Sequence, residues 1–276
     1  MKHCHSITGP KRAVRRFLFA GLALFLGVGA RAAIPAPIEA ALKRGAEEVE
    51  RWAYTETSVT RDRAGKARKG ETIVRVDPSK TYEEQFTPLK IDGKEPTEKQ
   101  RAKYRQRGIE HGEQLEQETA KAASGVENPI SIDIGDRRAT VDFANARLVN
   151  EAGSLLTYEL PLRPVDNNGF PVEKFQLVVR VDRDRQSFEH AALRLIAPLR
   201  VMLVAKVQSG EMTASFTTVD PKLPSVLSTM RMDYSASVLF AKKADSFVTT
   251  RADFRRVKPY SEKFGVKIGP MRALPF

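Results

Sequence analysis

The chain reads as an α+β protein: a strongly curved antiparallel sheet, an incomplete β-barrel of about nine to eleven strands, with helices on its concave side. Three observations predict it. Residues 172–257 form a succession of short alternating runs rich in β-branched and aromatic side chains, at 175–181, 188–196, 199–207, 212–219, 226–234 and 247–257. Tight breaks separate most of them: residues 182–185 (Asp-Arg-Asp-Arg), Pro198, Ser209 with Gly210, and Asp220, Pro221 and Pro224. Such gaps leave no room for crossover helices, so the runs pair as an antiparallel meander. Finally, only one stretch of the chain, residues 37–52, is clearly amphipathic with helical period.

From the start of the chain, residues 2–16 carry Lys2, Lys11, Arg12, Arg15 and Arg16 and no acid, and residues 17–30 are an unbroken apolar run of fourteen. Ala30, Arg31 and Ala32 then offer small residues at the two positions a signal peptidase reads. At 1.5 Å per residue the run covers about 21 Å, short of the ~30 Å hydrocarbon core. Residues 1–32 are therefore expected to be a cleaved signal peptide, with the mature chain in the periplasm. Cys4, the only cysteine, lies before the apolar run, so it is not a lipobox residue and the mature chain has no disulfide. The signal carries six of the 46 Lys and Arg and none of the 34 Asp and Glu, which leaves 40 against 34, a net of +6. That balance, with basic and acidic residues interleaved, argues against nucleic acid as a partner. No later apolar run reaches spanning length, so an integral membrane protein is not expected.

In the helix expected at 37–52, Ile38, Leu42, Val49 and Trp52 share a face, and Pro37 suits the first turn. A core cover and a lid over a ligand cavity predict the same pattern. Strands are expected at 53–60 and 71–76 around a polar loop at 61–70, and at 85–91, where Pro88 implies an edge or a bulge. Thr97 with Gln100 fits a capping box for a long helix at about 97–125. Tyr104, Ile109 and Leu115 are its only large apolar residues, and Gly108 and Gly112 weaken it, so it reads as a solvated insertion held by a thin seam. Short strands follow at 129–134 and 155–162, residues 140–150 fit a helical turn or a strand, and residues 166–169 read as a turn. Residues 33–276 are expected to form one domain with this insertion.

Catalytic motifs are not found. The mature chain has two histidines, His111 in the polar helix and His190 in a strand, without the spacing of a zinc pair. No Walker loop, G-x-S-x-G or G-x-G-x-x-G occurs, and acid pairs such as Asp182 with Asp184 sit in turns. A Ser–His or Asp–His pairing through His190 stays open, since triad partners are distant in sequence. The chain is expected not to be an enzyme and to need no cofactor or metal. The meander presents an apolar face instead: Phe175, Leu177, Val179 and Val181, then Leu193 and Leu195, then Leu199, Val201, Leu203 and Val207, then Met212, Ala214 and Phe216, then Met230, Met232 and Tyr234. Its methionines suit a surface that accepts varied apolar shapes, although a core beneath helices has the same composition.

Taken together, the signal-like start, the helix leading into Ala53, Tyr54 and Thr55, the hairpin across 61–70 and the closing meander resemble the periplasmic lipoprotein-carrier superfamily with the LolA/LolB-like fold. Residues 86–97 are similar to a segment of uncharacterised exported bacterial proteins. The first resemblance implies an incomplete barrel lidded by helices whose cavity holds the acyl chain of a lipid or lipoprotein. The long polar helix departs from the compact carriers. The expected function is non-catalytic binding or carriage of such a chain, in a cavity lined by Leu177, Val179, Leu195, Leu203, Phe216 and Met230 with Trp52 near its rim. The alternative is an envelope interaction or stress-sensing module with a filled core and a protein partner.

Overall fold

Alternating apolar side chains over short runs build most of this molecule as antiparallel sheet. The computed structural model describes residues 34–62, 64–123, 131–134, 137–165, 171–202, 205–238 and 241–262. The elements are α1 (Ala36–Glu48), β1 (Trp52–Asp62), β2 (Thr72–Val76), β3 (Phe86–Lys90), α2 (Glu98–Ala123), β4 (Ser131–Ile134), β5 (Arg137–Val141), β6 (Arg147–Ala152) and β7 (Leu155–Leu160). They continue with β8 (Leu162–Pro164), β9 (Phe175–Asp182), β10 (Ser187–Leu195), β11 (Leu199–Met202), β12 (Ala205–Thr217), β13 (Val226–Val238) and β14 (Ala241–Arg256). Eleven strands form one antiparallel sheet in the order β3-β2-β1-β14-β13-β12-β10-β9-β7-β6, with β11 on β12. The order begins at β3 and ends at β6, so the sheet is open. A second sheet, unexpected from the sequence, pairs β4, β5 and β8.

The chain divides into two compact units, Met1–Ala46 with Lys121–Ser246 and Glu47–Ala120 with Phe247–Phe276. In the first, α1 turns Ile38, Ala41 and Leu42 onto Leu156, Tyr158 and Leu160 of β7, Val179 and Val181 of β9, and Phe188 of β10. The spacing i, i+3, i+4 puts those three helix residues on one stripe, and each fully buried Leu or Ile contributes about 1.5–3 kcal/mol. Arg44 donates to the carbonyls of Arg185 and Lys222, 2.7 Å each, and pins the helix over the strand turns.

The helix is shorter than its periodicity suggests. It ends at Glu48; Val49 is exposed, and Trp52 opens β1 with its ring edge-on to Phe254 at 6.3 Å. Apolar residues of a turn and a following strand happened to continue the helical spacing. Ser209 and Gly210 likewise do not turn the chain: β12 runs through them, and its ladder to β13 absorbs the irregularity as a bulge between Val207 and Ser209. The ambiguous stretch at 140–150 resolves into the end of β5, a short 3-10 turn at Phe143–Asn145, and β6. The turn expected at 166–169, the signal at 1–32 and most of the tail lie outside the described residues.

In the second unit β3 ends the sheet, and the ladder opposite Pro88 shifts register between Ile73 and Val74, so this proline sits at an edge and beside an irregularity. The polar helix α2 starts with a true capping box: the Thr97 amide donates to Gln100 Oε1 at 2.8 Å and the Gln100 amide to Thr97 Oγ1 at 3.3 Å. A thin seam holds it. Tyr104, Arg107, Gly108, His111, Gly112 and Leu115 make a partly buried seam, while Ile109 faces out. Tyr82 packs where the glycines leave room. A Cβ on Gly108 would stand 1.9 Å from the Tyr82 carbonyl oxygen, and one on Gly112 2.4 Å from its ring. Here the two glycines are the means of docking.

Candidate functional site: an apolar row on the sheet of the first unit

Antiparallel register brings residues distant in sequence into rows on one face. In the first unit one row reads Tyr158, Val179, Ala191, Ala214, Met230 across β7, β9, β10, β12 and β13. The next reads Leu160, Leu177, Leu193, Met212, Met232. Burial falls along this second row as far as β12. Leu160 is 3 % exposed within the core that α1 closes, Leu177 packs against that core, Leu193 is half-buried, Met212 is 37 % exposed, and Met232 beyond it is half-buried again. An apolar strip thus continues out of a closed core onto a half-exposed sheet face.

The residues expected to line a cavity divide accordingly. Val179 is core. Leu177 and Phe216 flank the core, with Phe216 stacked at a tilt on Phe188, centroids 6.0 Å apart. Met230 stands in the first row, and Leu195, half-buried, faces Phe175 beyond the second. Leu203 lies outside the described residues. Trp52 belongs to the second unit, buried against Phe254.

Beside this face stand Lys243 and Asp245, which the sequence did not point to, together with Tyr234, which it placed on the face. Two positions beyond Met232, the Tyr234 hydroxyl donates to Asp245 Oδ2 at 2.9 Å, and Lys243 Nζ meets the same oxygen at 3.1 Å. Burial, then the hydrogen bond to Asp245, raises the Tyr234 hydroxyl above its ordinary value, and the bond to Asp245 does the same for the Lys243 ammonium. The phenol keeps its proton and the ammonium its charge at neutral pH. Lys243 and Asp245 share a face with Phe247 at strand period, but the expected strand began at 247 because the earlier residues are polar.

His190 Nδ1 lies 3.4 Å from Ser215 Oγ on the opposite, polar face. Burial, then Arg180 and Arg194, holds the imidazole below its ordinary pKa, so it is neutral. Among the described residues no carboxylate hydrogen-bonds its other ring nitrogen, so the pair lacks the orienting acid of a triad. In the second unit Arg251 stands 4.4 Å over Tyr54 and bonds Glu56 at 3.2 Å, and Arg107 stands 4.4 Å over Phe86. Burial pushes the Tyr54 hydroxyl up to about 12 against the opposing pull of Arg251. Of these, the stack of Arg107 on Phe86 joins the polar helix to β3. Among the described residues no group of three His, Cys, Asp or Glu side chains is placed to hold a metal ion, and no helix is long and apolar enough to cross a membrane. No family model, curated protein or solved structure matches the chain.

Proposed function

We propose that the protein binds one acyl chain of a lipid or lipoprotein on the row Leu177, Leu193, Met212, Met232, without catalysis, and carries it in the periplasm. The observation that carries this reading is the continuity of that half-exposed row with the dry core under α1. Three strand spacings separate β9 from β13, about 14 Å, the reach of about a dozen extended methylenes at C–C bonds of about 1.5 Å. Burial is worth ~0.8 kcal/mol per methylene, and methionine side chains adapt to the chain's kinks. In this reading the sheet curves around the row with α1 on its concave side, as in the lipoprotein carriers the sequence resembles, and residues 1–32 direct export.

Native mass spectrometry of protein recovered from periplasm should reveal a bound lipid, on a chain beginning near Ala33. Leu193→Asn, which removes apolar contact without adding charge, should weaken dodecanoate binding about tenfold, or 1.4 kcal/mol, with little change in melting temperature. Absence of any acyl ligand, together with unaltered binding in the variant, would sink the carrier reading. The interaction module would then stand. Leu148 and Val149, both exposed on the edge strand β6, favour that second reading.

A further inference from the structure

We infer that the bound chain carries an anionic head, received by Lys243; this rests on the acyl-binding reading above. Following the row from β9 through β10 and β12 to β13, the next strand in the sheet is β14. That strand presents Lys243 and Asp245, joined to Tyr234 of β13 on the face that Met230 and Met232 share. The cluster stands one row beyond Met232, about 7 Å along β13, so a tail lying along the row from Leu177 to Met232 brings its polar head within reach of it.

The arrangement of charge selects the sign of the head. The Asp245 side chain is 5 % exposed and the Lys243 side chain 55 %. The carboxylate is buried, and its Oδ2 accepts from both Tyr234 and Lys243; the lysine side chain is the exposed partner, and its ammonium has three donors to share. A head approaching from solvent meets the cation first. The acids nearest in the same strands do not oppose it: Glu211 and Asp233 alternate onto the other face, where Arg194 and Arg231 pair with them. A carboxylate or a phosphate monoester shares the required chemistry, an anion that accepts a charge-assisted hydrogen bond.

Calorimetric titration of the purified protein with dodecanoate, dodecyl phosphate, dodecan-1-ol and dodecyltrimethylammonium tests this. At least one of the two anions should bind about tenfold more tightly than the alcohol, and the cation most weakly; the order of the two anions identifies carboxylate or phosphate. Lys243→Arg should keep the preference. Lys243→Gln removes the counter-charge of a buried carboxylate and is expected to destabilise, so the informative variant is Lys243→Gln with Asp245→Asn. It should lose the preference for the anions over the alcohol. Equal binding of alcohol and anions by the wild type, tightest binding of the cation, or a preference that survives the double variant overturns the assignment while leaving acyl binding intact. Failure of all four probes to bind overturns both.

Discussion

Asp142, buried after β5, accepts from Asn145 at 2.7 Å and Arg163 at 2.6 Å. Burial alone would raise its carboxyl; the two hydrogen bonds and the Arg163 charge outweigh it and hold the group below the ordinary carboxylate range. A depressed carboxyl contributes stability that is complete above its unfolded pKa of about 4 and is lost as pH falls through the folded value. Asp142→Asn should therefore cost about 1–3 kcal/mol at pH 7, and the gap between variant and wild type should shrink in acid below about pH 4. Denaturant unfolding at pH 7 and pH 3 measures it, and a gap that widens in acid would contradict the account. Arg107 makes a different demand. Its planar guanidinium lies over Phe86 at 4.4 Å and near Tyr104 at 5.7 Å. Lysine keeps the charge but not the flat face, so Arg107→Lys should lose about 0.5–1 kcal/mol.

At the scale of the element, α2 sets helix propensity against packing. Glycine to alanine inside a helix ordinarily stabilises by about 1 kcal/mol. At Gly108 the added Cβ would enter the Tyr82 carbonyl oxygen, so Gly108→Ala should instead destabilise by about 1–3 kcal/mol. Gly112→Ala meets the Tyr82 ring, which can swing, and should cost less. Hydrogen exchange of residues 98–119 is the measurement: Gly108→Ala should speed exchange in the helix more than in β1 and β2, and slower exchange would mean that propensity wins. In α1 the apolar stripe decides. Leu42→Ala removes a side chain buried among β7 and β9 and should cost about 2–5 kcal/mol by thermal unfolding.

At the scale of the whole molecule, the chain's own pattern determined the antiparallel character of the sheet, the β9-to-β14 succession, the capped start of α2 and the shared faces of Leu177 with Val179 and of Met230 with Met232. All of these follow from local periodicity and turn chemistry, which neighbouring residues carry by themselves. Tertiary structure decided the rest. The stop of α1 before Trp52 and the passage of β12 through Ser209 and Gly210 depend on partners: Phe254 for the tryptophan ring, and the ladder to β13 for the strand. The docking of α2 depends on Tyr82, which a reading of the helix by itself does not contain. The division at Ala46 and Ser246 and the meeting of Lys243 with Asp245 and Tyr234 rest on pairings that only the folded sheet makes. A period-2 pattern tells which side chains share a face; it does not tell which strands lie side by side, and that adjacency is what joins the apolar row to a buried carboxylate and an exposed lysine.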